Sequence, residues 1–182
     1  MSSDLHAASL DLLSTWQAPT SDQQALRKEY VEFVRNHPDS HLRTCYPAHL
    51  TASALVLSHD HREVLLMLHA KAQMWFQMGG HLESQDRSLP DAALREATEE
   101  SGIHDLSIDP TPVHVDRHQV GFCHPEGPVD HLDVRFVAVA SAQSNISASD
   151  ESSDLRWFPV DALPTDEPSI TDLVEAALRR LG

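Results

Sequence analysis

The sequence predicts an α/β fold, a layer of strands flanked by helices, and three observations carry that expectation. Apolar residues recur at helical spacing at the start and the end of the chain. Between these ends they switch to short apolar runs and strand-like alternation. Near the middle, a double glycine precedes a helix-forming segment crowded with acids. At 182 residues the chain can bury one well-packed domain and still carry an extension.

The first helix is expected over about residues 4–17, where Leu5, Ala8, Leu12 and Trp16 share a face before Pro19 breaks the pattern. Thr20 and Gln23 then have capping-box spacing and open a second helix with Leu26, Tyr30 and Phe33 as its apolar stripe. Asn36-His37-Pro38-Asp39 ends it. Residues 1–46 thus read as a helical extension that packs on the main domain, residues 47–182, or forms the contact of a homodimer.

Strands follow. Residues 53–57 and 63–68 are apolar runs joined by a hairpin at His59-Asp60-His61-Arg62. Residues 74–78 lead into Gly79-Gly80, read as a tight turn that lets the backbone approach a ligand or ion. Val113 with Val115, and Leu132 with Val134 and Phe136, alternate as two further strands, and residues 155–158 make a short one. Pro168 opens a last helix with Leu173, Val174, Ala177, Leu178 and Leu181 inward and Arg179-Arg180 at its favourable C-terminal end.

Composition narrows the partners. A formal net charge of −15 argues against a nucleic-acid backbone or an anionic membrane surface. A small phosphorylated substrate stays compatible, because a bound metal reverses the local sign. The chain has two cysteines, Cys45 and Cys123, no apolar run of membrane-spanning length, and first residues that do not read as a signal peptide. The cytoplasm is therefore the expected compartment.

The chemistry concentrates between Gly80 and Ile103. Ser88 stands three residues before Asp91 as a helix cap, Pro90 fits the first turn, and Gly102 stands where a left-handed C-terminal cap is expected. On that helix Glu96, Glu99 and Glu100 share a face, with Arg95 on the flank. Like charges one turn apart repel, and the local sequence lacks the cations to neutralise them. Mg2+ or Mn2+ would, since hard cations favour carboxylate oxygens.

The segment Gly80-His81-Leu82-Glu83-Ser84-Gln85-Asp86 … Arg95-Glu96-Ala97-Thr98-Glu99-Glu100-Ser101-Gly102-Ile103 resembles the signature of the Nudix (MutT-like) hydrolase family. The family core Arg-Glu-x-x-Glu-Glu-x-Gly is matched throughout. Two departures stand out: Asp86 replaces a glutamate, and eight residues rather than seven separate it from Arg95. The resemblance runs from about His49 to Pro164, with the lead-in Trp75-Phe76-Gln77-Met78-Gly79-Gly80-His81 and a late stretch Asp150-Glu151 … Trp157-Phe158.

This resemblance implies an α/β/α sandwich and a Mg2+- or Mn2+-dependent pyrophosphohydrolase acting on a phosphoric anhydride bond of a nucleoside diphosphate derivative or related nucleotide. Arg95, Glu96, Glu99 and Glu100 become the catalytic group, the three glutamates hold the ion, and Arg95 pairs with Asp86. A late-loop acid completes the site or serves as general base; Glu151 is the candidate, with Asp150 and Asp154 as rivals. Lys71 and Arg135 are candidate phosphate contacts, and Gly80 and His81 candidates for shaping or touching the substrate site.

Two other readings use the same fold. One is a nucleotide-binding sensor without turnover. The other is an isomerase of the isopentenyl diphosphate type, which needs a cysteine and a glutamate; Cys123 is available, but the complete hydrolase core weighs against it. Nucleotide sugars, ADP-ribose, dinucleoside polyphosphates and damaged nucleoside triphosphates remain open as substrates. His118, Cys123, His124 and His131 fall in one stretch without the paired spacing of a structural zinc site.

Overall fold

The computed structural model describes residues 2–70, 72–147 and 152–182. Helices α1 (Ser2–Thr15) and α2 (Ser21–Asn36) come first, then strands β1 (Ala48–Leu57), β2 (Glu63–His69), β3 (Trp75–Phe76) and β4 (Met78–His81). Helix α3 (Leu89–Ser101) follows. Strands β5 (Ser107–Ile108), β6 (His114–His124), β7 (Gly127–Val139) and β8 (Ser152–Pro159) lead to the closing helix α4 (Pro168–Leu181). The expected strands are all present, most of them longer than expected; β5 was not foreseen, because two residues show no alternation.

All eight strands join one mixed sheet whose main path runs β3-β2-β1-β7-β5. Strand β4 pairs with β1, β6 with β7, and β8 with β2. The central pair, β1 with β7, is parallel over its whole length, from Ala48↔Asp130 to Leu57↔Val139. All other pairings are antiparallel.

Strand alternation then sorts side chains onto two faces. Leu50, Ala52, Ala54 and Val56 of β1, with Leu132, Val134, Phe136 and Ala138 of β7, enter one core. Leu5 and Leu13 of α1, Tyr30 and Val34 of α2, and Leu89, Ala92, Ala93 and Ala97 of α3 complete it. Leu55 and Leu57, with Val137, face the other way and pack beneath Ile170, Leu173, Val174 and Ala177 of α4. This is an α/β/α sandwich with α1, α2 and α3 on one face and α4 on the other.

The helical extension is therefore part of the core. Thr20 caps α2 by accepting from the Gln23 N–H at 3.2 Å. Gln23 does not return the bond that a full capping box would make. Its amide instead pairs with the Val115 backbone, donating to the carbonyl at 2.9 Å and accepting from the N–H at 2.7 Å. The Tyr30 hydroxyl adds a bond to the Asp116 carbonyl at 2.5 Å. Helix α2 is thereby fastened to β6. Among the described residues no helix is long and apolar enough to cross a membrane.

Candidate active site

Gly79 and Gly80 lie in strand β4, not in a turn. They pair with Ser53 and Ala52 of β1, and neither has a positive φ. Their lack of a side chain serves close approach. A Cβ on Gly79 would lie 2.2 Å from the Ser53 Cβ, and one on Gly80 would lie 2.7 Å from Glu96 Oε1. Gly79 lets β4 close onto β1, and Gly80 lets the acidic helix sit directly against β4.

Helix α3 begins as its sequence dictates. The Ser88 hydroxyl accepts from the Asp91 N–H at 3.3 Å, and Pro90 occupies the first turn. Gly102 ends the helix in the left-handed region at φ 71°, its N–H donating to the Thr98 carbonyl at 2.9 Å. Any other residue type would be strained at that φ.

Arg95 organises the loop and the helix together. Its Nε and Nη2 donate to the two oxygens of Asp86 at 3.0 and 3.1 Å, a two-pronged pair that is almost fully buried on the Asp86 side. Asp86 also accepts from the Glu83 N–H at 2.7 Å. The extra residue of the loop is thus absorbed without breaking the Asp86–Arg95 pair. Nη2 donates as well to the His81 carbonyl at 2.9 Å. Nη1 faces Glu96 Oε1 at 2.9 Å and Glu99 Oε2 at 3.2 Å, with Glu83 Oε1 at 3.9 Å.

One guanidinium therefore confronts four carboxylates. Burial opposes its charge, but the Asp86 bonds and the neighbouring Glu96 overcome that and hold its pKa above the usual arginine value. Burial pushes the Glu96 pKa above the ordinary glutamate range, and the Arg95 charge only partly offsets this. Glu99 is largely exposed. Glu100 does not share the exposure of Glu99. It is buried and accepts from the Gly79 N–H at 2.8 Å, tying the helix to β4.

Arg135, expected as a phosphate contact, does not reach this site. It is 3% exposed and lies on the α4 face of the sheet. Its guanidinium bonds Asp133 at 2.8 Å, Asp116 at 3.0 Å and the Ser169 carbonyl at 2.7 Å. That cation is consumed inside the fold: strand alternation aimed it away from α3. Lys71, Asp150 and Glu151 lie outside the described residues. Asp154 pairs with Arg156 at 2.6 Å. Trp75 packs edge-on against Phe158 beside the α4 core.

His81 also turns away from the acids. Its carbonyl serves Arg95, but its ring lies on the opposite face with His49 of β1, His131 of β7 and Cys123 of β6. Burial pushes the His81 pKa down to about 4 and that of His131 to about 3, and lowers that of His49. The sequence signalled Cys123 and His131, but His49 and His81 join them only through strand register.

The sequence model of the NUDIX domain matches residues 47–181. A Nudix-family hydrolase from Clostridium perfringens superposes with a TM-score of 0.59 at 25% identity, over 74% of this chain and 98% of that one. An Ap4A hydrolase of C. elegans gives 0.57 at 19% identity, over 72% of this chain and 96% of its own. A UDP-X diphosphatase gives 0.57 at 13% identity and covers 95% of this chain and 91% of its own. The last two are likenesses of fold. No curated protein matches the sequence.

Proposed function

The chain belongs to the Nudix family and is a Nudix pyrophosphohydrolase; we propose that it requires Mg2+ or Mn2+ and cleaves the diphosphate bond of a small nucleotide-like molecule. One observation carries this reading. Glu96 and Glu99 converge on a single nitrogen of Arg95, and Glu96 lies over the space that Gly80 keeps clear of a side chain.

The residues fit a hard divalent cation. The donors are carboxylate oxygens, the ligand type that Mg2+ and Mn2+ favour. A Cβ at position 80 would crowd both Glu96 oxygens, at 2.7 and 3.0 Å, so the glycine preserves a cradle for them. Glu96 and Glu99 would hold the ion, with Glu100 joining by a change in its side chain. A bound cation supplies charge neutralisation for the diphosphate and acidifies a coordinated water.

The chain's own groups have separate tasks. Arg95 keeps the loop closed through Asp86 and holds Glu96 and Glu99 in register. Glu100 fixes the helix to the Gly79 backbone. A glutamate of α3, or Glu151, accepts the proton of the attacking water. Catalysis of this kind rests on positioning and charge neutralisation.

The test is a panel of nucleoside diphosphate derivatives and nucleoside triphosphates incubated with Mg2+ or Mn2+, with EDTA as control. Cleavage of one class, abolished by EDTA, is the expected result. Nucleotide binding without turnover would replace the hydrolase with a sensor.

A further inference from the structure

On the sheet face opposite α3, four side chains from four strands converge. They are His49 of β1, His81 of β4, Cys123 of β6 and His131 of β7. His49 and His131 are direct partners in the parallel β1–β7 pair, and His81 pairs opposite Thr51, two residues along β1. The three rings lie 4.9 to 5.1 Å apart by centroid. Cys123 Sγ lies 3.2 Å from His81 Nε2, 3.4 Å from His131 Nε2 and 3.8 Å from His49 Nε2. All four donor atoms fall within 4.8 Å of one another.

Hydrogen bonding inside the cluster rests on a single sulfur, a weak donor and a weak acceptor. His49 Nδ1 faces the Cys45 carbonyl at 3.2 Å. A carbonyl only accepts, so Nδ1 carries the proton and Nε2 presents a lone pair to the cluster. The one thiol hydrogen can serve only one ring nitrogen, and the other two rings are left with a weakly accepting sulfur. The adjacent His118 adds no donor, because its Nδ1 is held by Asp116 at 2.9 Å and its ring sits edge-on to His131. A cation at the centre would take all four lone pairs at once.

We propose that His49, His81, Cys123 and His131 form a closed tetrahedral site for a borderline-soft transition-metal ion, Zn2+ foremost. With zinc–nitrogen bonds of about 2.0–2.1 Å and zinc–sulfur of about 2.3 Å, the edges of such a tetrahedron are about 3.3–3.6 Å. The sulfur–nitrogen separations of 3.2 to 3.8 Å bracket that range. Three nitrogens and a sulfur select zinc-like ions and disfavour Mg2+. The His49–Cys45 bond is the outer contact that orients a ligating imidazole.

Four protein donors leave no open position, which marks a structural ion rather than a hydrolytic one. Its effect is to clamp β1, β4, β6 and β7 together. It also fixes His81, whose carbonyl receives Arg95 Nη2 at 2.9 Å. The ion thereby braces, from behind the sheet, the strand that enters the catalytic loop. The hydrolytic cation and this one are separate sites of different chemistry.

The experiment titrates chelator-stripped full-length protein with Co2+ and follows absorbance. Wild type should give a thiolate-to-cobalt charge-transfer band and strong tetrahedral d–d bands, saturating at one equivalent, and Zn2+ should displace them. Cys123→Ser should lose the charge-transfer band, and His131→Gln should weaken Zn2+ at least about a hundredfold, the upper end of what outer-shell partners alone are worth. Glu99→Gln should keep the full spectrum, which separates this site from the acids of α3. A second measurement uses wild type alone. Cys45 is buried, with its thiol pushed up to about 12, so Cys123 is the thiol that a disulfide reagent reaches. Zn2+ should block that reaction and Mg2+ should not. Absence of the band in wild type, its persistence in Cys123→Ser, or a reaction rate unchanged by Zn2+ would each overturn the proposal.

Discussion

The two faces of the sheet carry opposite donor chemistries, and a single strand divides them. Gly80 turns its empty position toward Glu96, and the next residue, His81, turns its ring toward His49 and His131. On the α3 face, oxygen donors crowd one guanidinium and stay partly open to solvent. On the other, nitrogen and sulfur donors of a buried His49 and of half-buried His81, Cys123 and His131 close around a point. The first arrangement suits a hard, exchangeable ion that substrate can reach; the second suits a soft ion held for good. Alternation along one strand is sufficient to keep the two apart.

The largest effect that would test this contrast is on Arg95. Arg95→Ala leaves Asp86 buried without its two-pronged partner, and such unpaired burial costs about 3–5 kcal/mol. Denaturant unfolding should show that loss, and a variant as stable as wild type would refute Arg95's role as organiser of this face. Next comes Glu99→Gln, which should lower turnover at least about a hundredfold, the usual scale for lost acid–base or charge stabilisation, with little change in melting temperature. Glu100→Gln should lower turnover comparably, and unchanged activity in both would remove the metal assignment.

A subtler test is Gly80→Ala. The added methyl meets the flexible end of Glu96, so the fold should survive while Glu96 shifts by tenths of an ångström. Roughly tenfold lower turnover with near-normal stability is expected, since small misplacements at a reacting centre are costly. Turnover equal to wild type would show that the cradle over Gly80 is not used.

The smallest effect concerns the fastening of the helical extension. Burial, and then the Arg135 charge, push the His114 pKa down to about 4, and its Nε2 lies 3.0 Å from the Gln23 amide nitrogen. The folded protein therefore refuses a proton that the unfolded chain binds below its own pKa of about 6.5. The resulting stability is complete above about pH 6.5 and is lost as pH falls toward 4. His114→Gln should lessen the slope of the stability profile across that window, which His81 and His131 also shape, as read by thermal melts at stepped pH. An unaltered slope would assign the acid sensitivity elsewhere.

What the sequence disclosed and what it hid follow the same division. The Ser88 and Gly102 caps and the terminal helix are local signals, read within a few residues, and the structure places them accordingly, whereas Glu100 leaves the shared acidic face for the Gly79 N–H. The Asp86–Arg95 pair is nearly as local, spanning nine residues. Gly79-Gly80 reads as a turn in the sequence because glycine signals both turns and close approach, and only the pairing of β4 with β1 and the packing of α3 on β4 distinguish them. Arg135 looked like a phosphate ligand because its charge is visible in the sequence while the face it occupies is not.

The histidine–cysteine cluster was the least legible. His49 and His131 lie 82 positions apart and become neighbours only when β1 and β7 pair in parallel. His118 and His124 are close to Cys123 in sequence, but His49 and His81 are the residues that join it in space. Metal-ligand spacing rules work for short hairpin sites and fail for ligands gathered across a sheet.

The most direct test of two separate faces is Mn2+ binding, read from loss of the free-ion electron paramagnetic resonance signal. Wild type, Glu99→Gln and Cys123→Ser would be titrated side by side. Weakened Mn2+ binding in Glu99→Gln, with wild-type binding in Cys123→Ser, is the predicted result. Mn2+ binding that survives in Glu99→Gln but fails in Cys123→Ser would move the hydrolytic ion to the wrong side of the sheet and contradict the account.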